Sequence, residues 1–584
     1  MRALRRDPLL AVGALLLAAV LAIDIASLTR APPLFGDEAW IGSRIASFGA
    51  GDGFYPTLAA NLGIYQGGHD YWASQVGSLP FIAGELVGPS TFTFYRAISL
   101  FTALAGVAAF WLGLRRAHGA TAACFGAAAL VASWAFLTAS HWIRWDSTGM
   151  LFACAITAIL LWGPPRVPAA AALGLLIGLT SDFVYPMLGL AAGAALLVGW
   201  EREDRGRRLA ALGAGVGVGL VVFAAIHVLP DPDLSREQFD AIHRPIYGET
   251  PVIDAVKHAS LTPLLEETDR YELLLDSVFW RTNALAIATG LLAALLTLLA
   301  LAGVPRRPLA LAGYPSLGLL ICATAADLTG LYETAPWLLD VVRILIFGLF
   351  ACCFGAIVTL VRWGPRRYPR AAVGPILLVS LLLGFALLHA YKLGTYTDFA
   401  VPFAVAAVIA AAERLAPAGR RPLATAAVAG ALTLAGGATV VDRVAEASPE
   451  PALDDELSAT ATEIVPADAT VIGEWVYWWL YRDPRFQVNS SIWFQAYEHP
   501  GESFRQSFNR VCPDYVLLDD LWLDRYAGPG LGRWWPNLAP QDPAERQRLE
   551  GLLQSDYLLV RSLDVDDRRI SFWHRRAPDC PAPG

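Results

Sequence analysis

The chain has 584 residues, 55% hydrophobic and only 16% charged, with a mean hydropathy of +0.46 and a formal net charge of −8. A soluble chain of this length needs more charge to cover its surface, and with no basic domain it offers nothing for nucleic acid to hold. Its apolar residues cluster in blocks of about twenty, enough to cross a hydrocarbon core of roughly 30 Å, so it reads as a polytopic α-helical membrane protein.

In chain order the candidate spans are 8–28, 93–114, 119–140, 148–163, 168–180, 183–200, 209–229, 282–303, 308–326, 338–362, 371–390, 399–416 and 422–441, thirteen in all. Arg2, Arg5 and Arg6 put the N-terminus in the cytoplasm. Arg115/Arg116, Arg166, Arg202/Arg205/Arg207/Arg208, Arg306/Arg307, Arg362/Arg366/Arg367/Arg370 and Arg420/Arg421 then fall on that same side. Fusing 168–180 with 183–200 would send every later arginine loop across, so the two short segments are read as a pair. The first span is followed by Ser27 to Pro32, a poor small-residue cleavage site, and reads as a retained anchor.

Three long segments then lie on the outer face: 29–92, 230–281 with the acids Glu266, Glu267 and Asp269, and the tail 442–584. Residues 1–441 form the membrane domain. The tail reads as a small extracytoplasmic α/β domain, with a helix over Asp454 to Ile464 and short apolar strands at 469–473, 514–518, 556–560 and 569–574. Trp475, Tyr477, Trp478, Trp479 and Tyr481 read as core or headgroup contacts, with a sugar-stacking surface as the alternative. Of seven cysteines five lie in spans, and Cys512 and Cys580 are placed to pair in an oxidising compartment.

Two polar clusters fall on the outer face. Asp37 and Glu38 follow the first span. They can be loop acids capping a helix begun at Ala39, ligands of a divalent cation, or a general base for an acceptor hydroxyl. His141, Arg144 and Asp146 occupy the short connection between spans three and four, which holds them at the bilayer surface. The plain reading there is an Arg–Asp pair closing a turn. In the first loop His69 and Asp70, after Gly67 and Gly68, are read as a turn or as ligand contacts.

Together Gly36-Asp37-Glu38-Ala39-Trp40, the stretch from Gly77 to Phe81, the run Phe92 to Arg96 and Arg144-Trp145-Asp146 resemble the GT-C glycosyltransferases that use polyprenyl-phosphate sugars. Aminoarabinose transferases of lipid A, protein O-mannosyltransferases and rhizobial core galacturonosyltransferases belong to that group. The resemblance implies a GT-C-like membrane domain of about 13 helices with an extracytoplasmic C-terminal domain, in a bacterial cytoplasmic membrane. It implies an inverting transfer from a polyprenyl-phosphate-linked sugar to an envelope glycan or glycolipid, ahead of a protein, on the outer face. Asp37 would be the general base, and Glu38 and Asp146 would orient the acceptor or, in some branches, hold a divalent metal through Asp37 and Asp146. Arg144, His141, His69, Asp70, Arg96 and Tyr396 would line the substrates. The family's late Arg-Tyr pair is missing, leaving Lys392, one of two lysines in the chain, or Arg343 for the leaving phosphate. A multi-span transporter or flippase of a lipid-linked glycan is the rival reading, but the two halves show no repeat.

Overall fold

The computed structural model describes residues 7–32, 36–59, 69–89, 91–240, 278–326, 331–335, 337–363, 367–388, 394–447, 454–482, 486–488, 491–492, 499, 501–519, 544–565 and 568–577. Glu266, Glu267, Asp269, Lys392 and Cys580 lie outside them. The helices are α1 (Pro8–Ala26), α2 (Gly36–Ala50), α3 (Leu79–Glu85), α4 (Phe92–His118), α5 (Ala120–Val131), α6 (Trp134–His141), α7 (Asp146–Trp162), α8 (Val167–Leu179) and α9 (Leu190–Val198). There follow α10 (Arg205–His227), α11 (Pro232–Gln238), α12 (Val278–Leu301), α13 (Arg306–Ala326), α14 (Trp337–Trp363), α15 (Val373–Leu388), α16 (Val401–Leu415) and α17 (Arg421–Glu446). The tail adds α18 (Asp455–Ile464), α19 (Phe504–Val511) and α20 (Ala544–Asp556).

The chain is a polytopic helical membrane protein. Each of the thirteen expected stretches coincides with a helix or helix pair, and among the described residues seven helices are long and apolar enough to cross a membrane, eight if one bent pair counts as a span. That pair is α5 and α6, which meet at 68° across Ala132 and Ser133, where the sequence reads one continuous span. The Ser133 hydroxyl donates to the Leu130 carbonyl and accepts from the Phe136 N–H, satisfying backbone groups that the break releases. Similarly, 183–200 is a short 3₁₀ segment, Tyr185–Gly189, running into α9.

Small residues let the helices close up. Gly174 and Gly178 on α8 face Gly215 and Gly219 on α10, two stripes at four-residue spacing that bring the backbones together. A Cβ on Gly178 would sit 2.5 Å from the Val216 carbonyl oxygen, and one on Gly215 only 2.1 Å from that of Ala171.

The tail forms a five-stranded sheet of β1 (Val471–Gly473), β2 (Phe486–Val488), β3 (Tyr515–Asp519), β4 (Tyr557–Val565) and β5 (Arg568–Arg575), in the order β2-β1-β3-β5-β4. β1 runs parallel to β2 and β3, whereas β5 is antiparallel to both β3 and β4. Strand alternation splits the side chains between two cores. Ile472, Val516 and Leu518 pack with α19 and α20, while Val471, Tyr515, Leu517, Ile570 and Phe572 face the other way. That second core continues through Trp478 and Trp479 into Ile41 and Ile45 of α2, Phe81 of α3, and Phe92 and Tyr95 of α4. The Trp479 ring meets Phe92 at 5.2 Å and Tyr95 at 6.0 Å. Trp478 and Trp479 are therefore buried core that seats the tail on the membrane domain, as the plain reading of this aromatic cluster has it. Cys512 is disulfide-bonded.

Gly178→Leu is expected to cost about 1–3 kcal/mol by overpacking the α8–α10 contact. Gly217→Leu, which has open space around it, leaves stability unchanged. Thermal unfolding of the two variants in detergent checks the difference.

Candidate active site

The elements just described converge where α1 ends and α2, α4 and α7 begin. Asp37 and Glu38 fall in the first turn of α2, where the positive end of the helix dipole favours carboxylates. Adjacent residues on a helix point about 100° apart, so the pair divides: Glu38 is fully buried, while the Asp37 side chain is 41% exposed.

Glu38 and Arg96 form a two-pronged ion pair, with Arg96 Nε donating to Oε1 at 3.2 Å and Nη2 to Oε2 at 3.1 Å. Arg96 also donates to the Leu28 and Pro32 carbonyls, each at 3.2 Å, and its guanidinium lies over the Phe92 ring. The Ile143 N–H completes the set by donating to Glu38 Oε1 at 3.0 Å. Both side chains are thus fully buried and tie these segments together. His141 is a buried tie as well. Its ring is wholly buried, with Nε2 2.9 Å from the Asp24 carbonyl oxygen and Nδ1 2.8 Å from Ser140 Oγ, so it locks α6 onto the end of α1.

Asp37 is on the open side. Its Oδ2 lies 3.3 Å from Arg144 Nη1, and Arg144 Nε lies 3.2 Å from Asp146 Oδ2. Arg144 is 1% exposed and Asp146 fully buried, so one guanidinium bridges an accessible carboxylate and an inaccessible one. Two rings frame that guanidinium, Trp145 at 4.5 Å and Tyr396 at 5.7 Å. The two acid clusters read separately from the sequence therefore meet at Arg144. Among the described residues no group of three or more His, Cys, Asp or Glu side chains could hold a metal ion. Asp37 and Asp146 already share the cation that Arg144 supplies, an arrangement that does not fit a metal between them.

The first loop is held from outside the site. Asp70 is buried against Arg44, and Gln238 of α11 accepts from the Tyr71 N–H and donates to the His69 carbonyl. Asp182, in the turn after α8, accepts from Ser74 Oγ at 2.8 Å, the Gln75 N–H at 3.2 Å and the Gly77 N–H at 3.0 Å, and lies 2.6 Å from His227 Nε2. Gly77 in turn takes the Thr148 hydroxyl and backs onto Trp145. Neither Asp70 nor His69 reaches the Arg144 cluster through these bonds. Arg343 pairs with Asp340 one turn earlier on α14.

Sequence reading misses one further group. Asp398, in the 3₁₀ segment Gly394–Ala400, is fully buried and accepts from Thr138 Oγ1 of α6 and Asn283 Nδ2 of α12, each at 2.6 Å. Beside Asn283 lies a narrow apolar gap lined by Ala129, Ser133, Thr324, Val401, Val405 and Gly436 among others. An acid and an amide at the ends of apolar spans were the available signal.

No protein-family model matches the chain, and none of the curated proteins does. Solved structures similar to it include two of one protein. One is ArnT from Cupriavidus metallidurans bound to undecaprenyl phosphate, 14% identical, with 96% of this chain and 97% of that one covered at a TM-score of 0.48. The other is ArnT from the same organism in the apo state, 16% identical, with the same coverage and a TM-score of 0.41.

Arg96→Ala would leave Glu38 charged and buried without its cation, a loss expected to cost about 3–5 kcal/mol. Replacing both, as Glu38→Gln with Arg96→Met, is expected to cost less than Arg96→Ala alone. Folded yield and thermal unfolding of the three proteins measure this.

Proposed function

We propose that this protein is an inverting glycosyltransferase that moves a sugar from a polyprenyl-phosphate donor to an envelope glycan or lipid on the outer face of the cytoplasmic membrane. The observation that carries the reading is the Asp37–Arg144–Asp146 bridge: a single reachable carboxylate held by a buried cation at one end of a helical membrane domain. Asp37 acts as general base. Arg144 engages Oδ2, which leaves Oδ1 for the acceptor hydroxyl, and the hydroxyl oxygen attacks the anomeric carbon as its proton passes to the carboxylate. The bond from that carbon to the phosphate oxygen breaks in the same displacement, so the configuration inverts.

Asp146 balances the other side of Arg144 and keeps the guanidinium from turning wholly toward Asp37. Lys392, four residues before Tyr396 in the chain, is the cation proposed for the leaving phosphate.

Asp37→Asn, nearly isosteric and partly exposed, is expected to fold like the wild type and to lower kcat about 10²–10⁴-fold. Purified protein, a polyprenyl-phosphate sugar and a membrane-envelope acceptor fraction provide the assay. The anomeric configuration of the product reports the displacement: retention, or a wild-type rate in Asp37→Asn, would exclude the mechanism.

A further inference from the structure

We propose that Asp398 is a positioning residue of this site, pinning the segment that holds Tyr396 against Arg144 and so fixing Arg144 between Asp37 and Asp146. Gly394–Ala400 is a run of 3₁₀ turns leading into α16, without a long helix of its own to hold it in register. Its ties are side chains. Asp398 Oδ2 takes the Thr138 hydroxyl and Oδ1 takes the Asn283 amide, and Asn283 Nδ2 also lies 3.4 Å from Thr397 Oγ1. The carboxylate therefore clamps the segment to α6 and α12 together.

The neighbours of Asp398 carry that placement into the site. Phe399 fills the notch left by Gly149, one turn along α7 from Asp146, where a Cβ would lie 2.3 Å from its ring. Tyr396 is buried with its ring 5.7 Å from the Arg144 guanidinium. Asp398 is also within electrostatic reach of both Arg144 and Asp146. A buried carboxylate is costly to desolvate, and a Leu or Met would tie α6 to α12 more cheaply if holding helices together were its whole task. Two short bonds of defined direction instead set an angle, and angle is what an ion-pair bridge flanked by rings requires.

The kinetic arm of the test rests on the glycosyl-transfer reading, and the structural arm does not. Asp398→Leu, of similar size, removes both bonds, and the clamp opens. Asp398→Asn can keep both: its oxygen accepts from the Asn283 amide and its nitrogen donates to the Thr138 hydroxyl, which then donates to the Trp134 carbonyl. The Leu variant is expected to lose about 10–100-fold in kcat with donor KM within about twofold, since a small misplacement of a reacting group has that cost. The Asn variant is expected to stay within about threefold of wild type. A cryo-EM structure of Asp398→Leu should show Tyr396 displaced from Arg144. If Asp398→Leu does not fold, Asp398→Asn decides. An Asp398→Asn that fails to fold, or folds with a loss of kcat beyond about threefold, overturns the proposal, as does a folded Asp398→Leu with wild-type kcat. If the wild type transfers no sugar, the glycosyltransferase reading falls by itself. The structure of Asp398→Leu then judges the clamp, with Tyr396 unmoved counting against it and Tyr396 displaced counting for it.

Discussion

The buried pair of Glu38 and Arg96 is the constraint on which the candidate site depends. Two full charges sit where no water reaches them, and such burial is tolerated only when every hydrogen-bonding position is filled. Here the partners come from four separate pieces of chain: the exit of α1 through Leu28 and Pro32, the start of α2 through Glu38, the body of α4 through Arg96, and the turn before α7 through Ile143. Satisfying one ion pair therefore fixes those pieces relative to one another. Asp37, the residue before Glu38, and Arg144, the residue after Ile143, are carried into contact as a consequence.

Around that hub the molecule repeats one device, a buried polar side chain that ties an irregular segment to a helix. Asp182 gathers the first loop with three donors and His227, Asp398 clamps the segment before α16, and His141 locks the end of α6 to α1. Irregular backbone at the end of a helix bundle has few apolar contacts of its own, so directional bonds must do what packing does elsewhere. The tail closes the arrangement from the other side. Trp478 and Trp479 join one face of the sheet to α2, the helix that presents Asp37, so the placement of the acid depends on the tail as well as on the spans.

Asp37 and Asp146 differ in exposure and not in chemical type. Both pair with Arg144, but the Asp37 side chain is open at the surface, whereas Asp146 is fully buried. This division of labour between like groups follows from the rotation between Asp37 and Glu38 on α2 and from the depth at which α7 begins.

Much of the architecture could be read from residue order, because hydrophobic run length and arginine placement are one-dimensional properties. The blocks of about twenty apolar residues became helices, and the short apolar run at 514–518 and the alternating one at 569–574 became β3 and β5. The break at Ser133 was invisible because its neighbours are as apolar as those of any span, and β2 because Phe486-Gln487-Val488 stands among polar residues with no apolar run around it. For the site, the sequence by itself determined which acids stand at the ends of spans, since charge beside an apolar block is conspicuous and costly. It could not say which of them are reachable. Nothing in residue order shows that Glu38, Arg96 and His141 are fully buried and paired, and Asp398 passes unnoticed among loop residues. Only the tertiary structure decided between these roles, because exposure and pairing depend on what distant segments bring alongside, and here the pairing cation, Arg144, arrives from more than a hundred residues away.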